Sequence, residues 1–138
     1  MGVLDDLFSA FQRPRNNGRE LAPRPVRLDE KADSWSVDVP IGGTLEIVGF
    51  EARVPLHFRK AANYCGTLLA WGSIFWRVLE NGTLKMILRD PIGFPGVPGP
   101  IAPFSIAPMN RISVEGVNNT ANIVSMGITL LWDEEYRG

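Results

Sequence analysis

Apolar and polar residues alternate along much of the chain from Ser34 onward, which indicates β-strands that each bury one face. In residues 34–41 every second side chain is apolar, and these are Trp35, Val37, Val39 and Ile41. Further strands are predicted within residues 44–58, 67–80, 83–88, 111–117 and 121–132. Roughly seven to nine short strands without an interior helix predict an all-β fold, a single jelly-roll or β-sandwich domain.

The clearest turn signal is Asn81-Gly82, which lies between two runs of strand-forming residues. This dipeptide favours a type I′ turn, because both central residues of that turn need positive φ. Residues 77–88 are therefore expected to form a tight β-hairpin.

The end of the chain is expected to form a second hairpin, with its turn at residues 118–120. The strand after this turn is apolar from Met126 to Trp132, except at Gly127 and Thr129. A strand with so few polar residues is typical of one that is covered on both faces. The acidic end that follows it is expected to be solvated.

The N-terminal segment follows a helical period instead. Its apolar residues recur at spacings of three and four, which places them on one face of a short helix that Pro14 would end. Such a helix is marginal by itself, so its apolar face is expected to dock either on its own domain or on a neighbouring subunit. The apolar residues are Val3, Leu4, Leu7, Phe8 and Phe11.

The segment that follows is expected to be an extended arm, because Pro14, Gly18, Pro23 and Pro25 interrupt any regular element. Such an arm could act as a strap across a partner or remain a solvated leader. We therefore divide the chain into two parts. Residues 1–33 are expected to form the helix and the extended arm, and residues 34–138 are expected to form the β-domain. The arginines of the arm are Arg13, Arg15, Arg19, Arg24 and Arg27.

Residues 90–108 hold six of the chain's 11 prolines. The few Gly-X-Y triplets are too short for a collagen helix, and the segment is too apolar for an exposed proline-motif ligand. Too few strands follow it to build a second core, so it is expected to be an ordered connection within one domain. Any apolar part that stays exposed, with Phe94 and Val97 as candidates, is expected to be a contact surface.

Composition limits the possible partners. With 138 residues and a net charge of −1, the chain is expected to be one domain without an overall field for nucleic acid or an anionic membrane. The single Cys65 excludes an intrachain disulfide, and the absence of a signal peptide favours synthesis in a reducing cytoplasm. No apolar run reaches the roughly 18 residues that a transmembrane helix needs.

The sequence offers little for catalysis or metal binding. The only histidine is His57, in a predicted strand, where an ordinary hydrogen bond is expected. No nucleophile motif accompanies it, and one histidine with one cysteine supplies too few zinc ligands. The carboxylates lie in the chain ends, in turns or on polar faces, so no acid–base pair is indicated. We therefore expect no enzyme activity and no cofactor.

Four tryptophans, Trp35, Trp71, Trp76 and Trp132, lie in predicted strands. Rings of this size dominate cores and interfaces, and most of the four are expected in the core. Trp71 and Trp76 fall on opposite faces of one predicted strand, so one of them could face outward. Two or more rings facing solvent would instead favour a carbohydrate-binding module.

Three features of the layout occur together: the arm MGVLDDLFSAFQRPRNNGRELAPRPVRL, the strand series from Trp35 to Trp132, and the ending NRISVEGVNNTANIVSMGITLLW. That ending is similar to the terminal hairpins common in phage structural proteins, in which V-x-N-x-T turns lead into a final apolar strand. Nearly the whole chain thereby resembles the small jelly-roll structural proteins of tailed-phage virions, of the capsid cement or decoration type.

The resemblance implies a non-enzymatic virion protein that binds assembled shell subunits, often as a symmetric homo-oligomer. Its partner would be the major capsid protein or other virion subunits, without direct contact with nucleic acid or membrane. Another phage structural role, in a tail, a collar or head completion, and a carbohydrate-binding sandwich are alternatives. The expected partner contacts are Leu4, Leu7, Phe8, Phe11, Arg13, Arg15, Arg19, Arg24, Arg27, Phe94 and Val97.

Overall fold

The described part of the chain folds into eight strands that form two stacked antiparallel sheets. The computed structural model describes residues 25–137. The strands are β1 (Val26–Val39), β2 (Thr44–Glu51), β3 (Leu56–Cys65), β4 (Ile74–Glu80), β5 (Thr83–Leu88), β6 (Gly99–Ile106), β7 (Arg111–Asn118) and β8 (Val124–Arg137). The first sheet has the order β1-β8-β3-β6 and the second β2-β7-β4-β5, which confirms an all-β sandwich. In the described part of the chain, no helix is long and apolar enough to span a membrane.

The core lies between the two sheets and is built from the alternating apolar side chains. An aromatic cluster joins three strands of the first sheet. The Phe58 ring of β3 stacks on Phe104 of β6 with centroids 5.0 Å apart, and it lies 5.4 Å from the Trp132 ring of β8. β8 contributes a row of buried side chains, namely Met126, Ile128, Leu130 and Trp132.

β8 is also covered on its outer face, as its apolar sequence predicts. Thr129 on that face is only 2% exposed, and its hydroxyl lies 2.6 Å from the Ser34 hydroxyl of β1. The Tyr64 ring of β3 lies over Gly127, where any Cβ would overlap the ring. Glycine therefore allows an aromatic ring to cover the middle of β8.

Both terminal strands are longer than the sequence predicts. β1 begins at Val26, inside the predicted arm, and β8 runs to Arg137 through the acidic end that was expected to be solvated. Ion pairs join these ends, because Arg59 of β3 lies 3.0 Å from Asp133 of β8 and also contacts Glu30 of β1. The alternation of apolar residues does not predict these strand ends, because charged side chains connect them. The predicted N-terminal helix lies outside the described residues.

The predicted Asn-Gly hairpin is confirmed. Asn81 and Gly82 have φ values of 49° and 82°, and Glu80 faces Thr83 across the turn. Positive φ at both central residues is the requirement of a type I′ turn. The dipeptide therefore fixes the register between β4 and β5.

The second predicted hairpin is wrong, because β7 lies in the second sheet and β8 in the first. The turn after β7 crosses between the sheets, and Asn118 holds it. Its Oδ1 accepts hydrogen bonds from the N–H and the hydroxyl of Thr120, at 2.9 and 2.7 Å. Its side-chain nitrogen lies within hydrogen-bond distance of three carbonyl oxygens, those of Val39, Pro40 and Asn122, which share its two N–H donors. One buried amide thus ties the crossing turn to the end of β1.

The strand predicted over residues 67–80 is shorter than expected. Residues Leu68–Ser73 form a short 3₁₀ helix, and β4 begins only at Ile74. Gly72 in this stretch disfavours a continuous strand. Trp71 therefore lies outside β4, and its ring contacts Trp76 with centroids 5.2 Å apart instead of projecting from the opposite face.

Glu80 at the end of β4 fixes the turn between β6 and β7. Its Oε2 accepts hydrogen bonds from the Asn110 side chain at 2.8 Å and from the Ala107 N–H at 3.3 Å. Its Oε1 lies 3.2 Å from Nζ of Lys85. The hydrogen bond from Asn110 contributes most to lowering the pKa of Glu80, and Lys85 and Ala107 add to it. Ionised Glu80 therefore stabilises the fold.

We expect part of the acid destabilisation of this protein to come from Glu80. A carboxyl group whose pKa is lowered on folding contributes stability above its unfolded pKa of about 4.3, and this contribution is lost as pH falls through the folded pKa. Urea unfolding at neutral pH and at about pH 3 should show a smaller acid-induced loss of stability in Glu80→Gln than in the unsubstituted protein. An equal loss in both proteins would contradict this role.

Candidate partner-binding site

Part of the proline-rich segment is a strand, although the sequence predicts only a connection there. Among the described strands, β6 lies at the edge of the first sheet and pairs with β3 alone. Pro100 and Pro103 are compatible with this position, because an edge strand has ladder hydrogen bonds on one side only and because the register with β3 shifts between Phe58 and Lys60, next to the prolines. Residues 89–98 form the connection that leads from β5 to this strand.

The connection is anchored to β3 by Asn63, which is 2% exposed. The Asn63 side-chain amide donates to the carbonyl oxygen of Asp90 at 3.0 Å, and its Oδ1 accepts the Ile92 N–H at 2.8 Å. The backbone N–H of Asn63 donates to the Ile92 carbonyl oxygen at 3.3 Å. These three bonds fix the path of the connection where it leaves the second sheet.

The connection ends in a tight turn with Pro95 and Gly96 at its centre. Phe94 and Val97 exchange two backbone hydrogen bonds across it, at 2.8 and 2.9 Å. Proline at the second position and a φ of 77° at Gly96 are the features of a type II turn. Gly93 has a φ of 65°, and a Cβ there would lie 2.5 Å from the Val97 carbonyl oxygen. Proline and glycine thus specify the shape of the turn.

Phe94 and Val97 present a pair of apolar side chains to solvent, here called the apolar tip. They are 71% and 62% exposed. Because residues directly opposite in an antiparallel bridge project from the same face, the two side chains lie side by side. The turn rests on the outer face of the first sheet, where the Gly96 N–H donates to the Thr129 hydroxyl at 3.3 Å. The apolar tip is therefore an exposed apolar surface on a supported turn, which makes it a candidate contact surface.

Arg27, another predicted contact, lies far from the apolar tip. It forms an ion pair with Asp29 at 3.0 Å, and its guanidinium lies 4.8 Å from the centroid of the Tyr136 ring. Thr129, beneath the tip, is separated from Tyr136 by about 23 Å along β8, at the rise of an extended strand. The other predicted contacts lie outside the described residues, and they are Leu4, Leu7, Phe8, Phe11, Arg13, Arg15, Arg19 and Arg24.

A second exposed apolar pair, which the sequence did not reveal, lies at one end of the sandwich. Ile41 and Ile123 are 60% and 65% exposed. Asn118 bonds the carbonyl oxygens of the residues that precede them, Pro40 and Asn122, so the two turns are neighbours. The alternating pattern placed Ile41 on a buried strand face, whereas β1 ends at Val39.

The tryptophans pack against the core and do not form a solvent-facing platform. Trp76 is fully buried and Trp132 is 7% exposed. Trp35 is half-buried and stacks on Trp132 with centroids 6.4 Å apart, and half-buried Trp71 contacts Trp76. These contacts do not favour the carbohydrate-binding alternative.

His57 makes two hydrogen bonds, whereas the sequence predicts one ordinary hydrogen bond. Its Nδ1 lies 2.7 Å from the Ser105 hydroxyl of β6, and its Nε2 lies 2.8 Å from Oε1 of Glu135 in β8. The bond from His57, followed by the contact with Arg137, lowers the pKa of Glu135. Within residues 25–137, no three His, Cys, Asp or Glu side chains are grouped so that they could hold a metal ion.

Comparisons with known proteins add little to this geometry. No protein-family model matches the chain, and no curated protein matches it. Among solved structures, the chain is similar to dimeric latent PorU from Porphyromonas gingivalis, with a TM-score of 0.39 and 11% sequence identity. The match covers 90% of this chain and 15% of the PorU chain, so this chain spans a small part of the length of PorU. The functional interpretation therefore rests on the surface of this chain.

Proposed function

We propose that the chain is a non-enzymatic structural protein of a virion, and that it binds and stabilises an assembled capsid shell as a cement or decoration protein. The observation that carries this proposal is the apolar tip, in which Phe94 and Val97 are exposed on a turn that internal hydrogen bonds hold. A turn with a fixed path loses little conformational entropy when it docks, so the buried apolar area contributes efficiently to affinity. Aromatic side chains held in this way are typical anchors of protein interfaces.

The strand order supports a finer description of the fold, a jelly roll. β1 pairs with β8 along its whole length, and successive strands mostly alternate between the two sheets. Two Greek keys wound in this way give the eight-stranded jelly roll, which occurs in viral capsid proteins, lectins and cupins. A cupin-type metal site needs several histidines, and this chain has only His57.

The proposed partner is the major capsid protein or another virion subunit, and the proposed location is the virion. The apolar tip would insert into an apolar recess of the shell, and the arm would add contact area beyond the domain. A symmetric homo-oligomer would place several tips on neighbouring shell subunits, so that one bound tip raises the effective concentration of the next. A role in a tail, a collar or head completion would use the same surface on a different virion protein.

We expect shells assembled from the major capsid protein that is encoded beside this chain's gene to bind the chain through the apolar tip. The purified chain is mixed with such shells, and co-sedimentation in a density gradient is measured. The unsubstituted chain should move with the shells. The double variant Phe94→Ser/Val97→Ser should bind about thirtyfold more weakly, because hot-spot side chains contribute about 2 kcal/mol or more to binding.

Met109→Ser is the matched control for this experiment. Met109 is 74% exposed in the turn between β6 and β7, so the control also removes an exposed apolar side chain but leaves the tip intact. Its binding should equal that of the unsubstituted chain. If the unsubstituted chain stays at the top of the gradient, the shell-binding proposal fails. If the control and the tip variant lose the same affinity, the tip is not the contact.

A further inference from the structure

Three side chains from three strands form a hydrogen-bonded series on the outer face of the first sheet. Ser105 of β6 is directly opposite His57 of β3, and Ser105 Oγ lies 2.7 Å from His57 Nδ1. The other ring nitrogen, Nε2, lies 2.8 Å from Oε1 of Glu135 in β8. A hydroxyl, an imidazole and a carboxylate within hydrogen-bond reach form the arrangement by which proteins activate a serine nucleophile.

The carboxylate determines which imidazole nitrogen carries the proton. Ionised Glu135 is only an acceptor, and Arg137 holds its second oxygen, Oε2, at 2.7 Å. Nε2 of His57 must therefore donate to Oε1, which leaves Nδ1 of the neutral ring as an acceptor. The Ser105 hydroxyl donates to Nδ1, so the basic nitrogen faces the proton that it would remove.

We propose that Ser105 is an activated nucleophile that small activated esters acylate, with His57 as its general base. Ser105 Oγ bonds to the ester carbonyl carbon while its proton passes to Nδ1 of His57. The bond between that carbon and the leaving oxygen then breaks, and the proton on His57 passes to the leaving group or to water. The product is an O-acylated Ser105. This reactivity goes beyond shell binding and does not depend on it.

The surroundings of the series set the size of the expected effect. The His57 side chain is 39% exposed and Ser105 lies on an exposed sheet face, so a small ester reaches the hydroxyl directly from solvent. Asp133 lies opposite His57 in β8, but Arg59 holds its carboxylate at 3.0 Å. The activation therefore comes from the general base, whose contribution is about 10²–10⁴-fold, and we expect an effect toward the lower end of this range.

The test treats the full chain with p-nitrophenyl acetate, a small ester with a good leaving group. Peptide mass spectrometry then gives the initial acetylation rates of Ser105, Ser36 and Ser125. Ser36 of β1 and Ser125 of β8 are exposed on the same sheet face, and the chain has no second histidine to activate them. Ser105 should react at least about tenfold faster than either control serine, because among these three serines only the Ser105 hydroxyl lies within hydrogen-bond distance of an imidazole nitrogen.

His57→Gln and unfolding in urea should each bring the three rates to about the same value, because both remove the base from Ser105. A preference of about tenfold or more that is lost under both conditions supports the proposal. A smaller preference, or one that persists in either condition, overturns it. The measurement in urea keeps the test decisive even if His57→Gln does not fold.

Discussion

An Asn118→Asp variant should lose about 3–5 kcal/mol of its free energy of unfolding. Asn118 is fully buried, and its side-chain nitrogen lies 2.7 Å from the carbonyl oxygen of Asn122 and 3.0 Å from that of Val39. Aspartate puts an acceptor oxygen in place of this donor, so oxygens with negative partial charge face each other. Protonation of the new carboxyl group would restore a single donor, but it costs free energy at neutral pH.

Asn119→Asp is the matched control for this substitution. Asn119 is exposed at the next position, and its backbone N–H, which bonds the Ser73 carbonyl oxygen, is unaffected by the change. Urea unfolding followed by tryptophan fluorescence should give an unchanged midpoint for the control and a much lower midpoint, with a similar slope, for Asn118→Asp. Equal midpoints would show that the Asn118 side chain does not hold the crossing between the sheets.

Phe58→Ala should cost a similar amount, about 3–5 kcal/mol. The Phe58 ring is fully buried between Phe104 of β6 and Trp132 of β8. Its removal leaves a cavity, because close-packed strands relax only partly into the space. β6 is held by one neighbouring strand, so its amide hydrogens should exchange with solvent faster than those of β8 after this substitution.

Phe94→Ala removes the same ring from a residue that is 71% exposed, which makes it the control for Phe58→Ala. Its free energy of unfolding should change by less than about 0.5 kcal/mol. Urea unfolding measures both losses, and hydrogen exchange followed by mass spectrometry locates them. Similar losses in the two variants, or faster exchange spread equally over all strands, would refute the role assigned to the Phe58 ring.

Alternation in the sequence predicts the strands whose buried face is apolar, as at Trp35, Val37 and Val39. It fails where charged side chains pair the strands, because Glu30, Arg59 and Asp133 carry no hydropathy signal. The early part of β1 and the end of β8 were missed for this reason. The Asn-Gly turn was predictable because its φ requirements are local.

Long-range pairing was less predictable than local turns. The residues around Asn118 specify a bend, but they do not specify which sheet the next strand joins. β8 joins the first sheet because it pairs with β1 and β3, which are distant in sequence. β6 was not predicted either, because a proline-rich sequence is compatible both with an edge strand and with a connection.

The sequence singled out Phe94 and Val97 as candidate contacts, but it did not show why these two apolar residues of the segment are the exposed ones. Ile92, Ile101 and Phe104 have the same apolar character as Phe94 and Val97, yet the first three pack on the core while the last two are exposed. The position of the Pro95-Gly96 turn makes this difference, because it directs the residues that flank it away from the sheet. The composition of the segment does not indicate which side chains project away from the sheet.

Pro100 and Pro103 also limit how two copies of the chain can meet. A strand that added to β6 would need backbone N–H donors along its free side, and proline has none. The edges of the second sheet are irregular as well, with register shifts between Glu46 and Val48 in β2 and along the β4–β5 pair. The β6 edge and the two edges of the second sheet are therefore poor templates for strand addition by another copy of the chain.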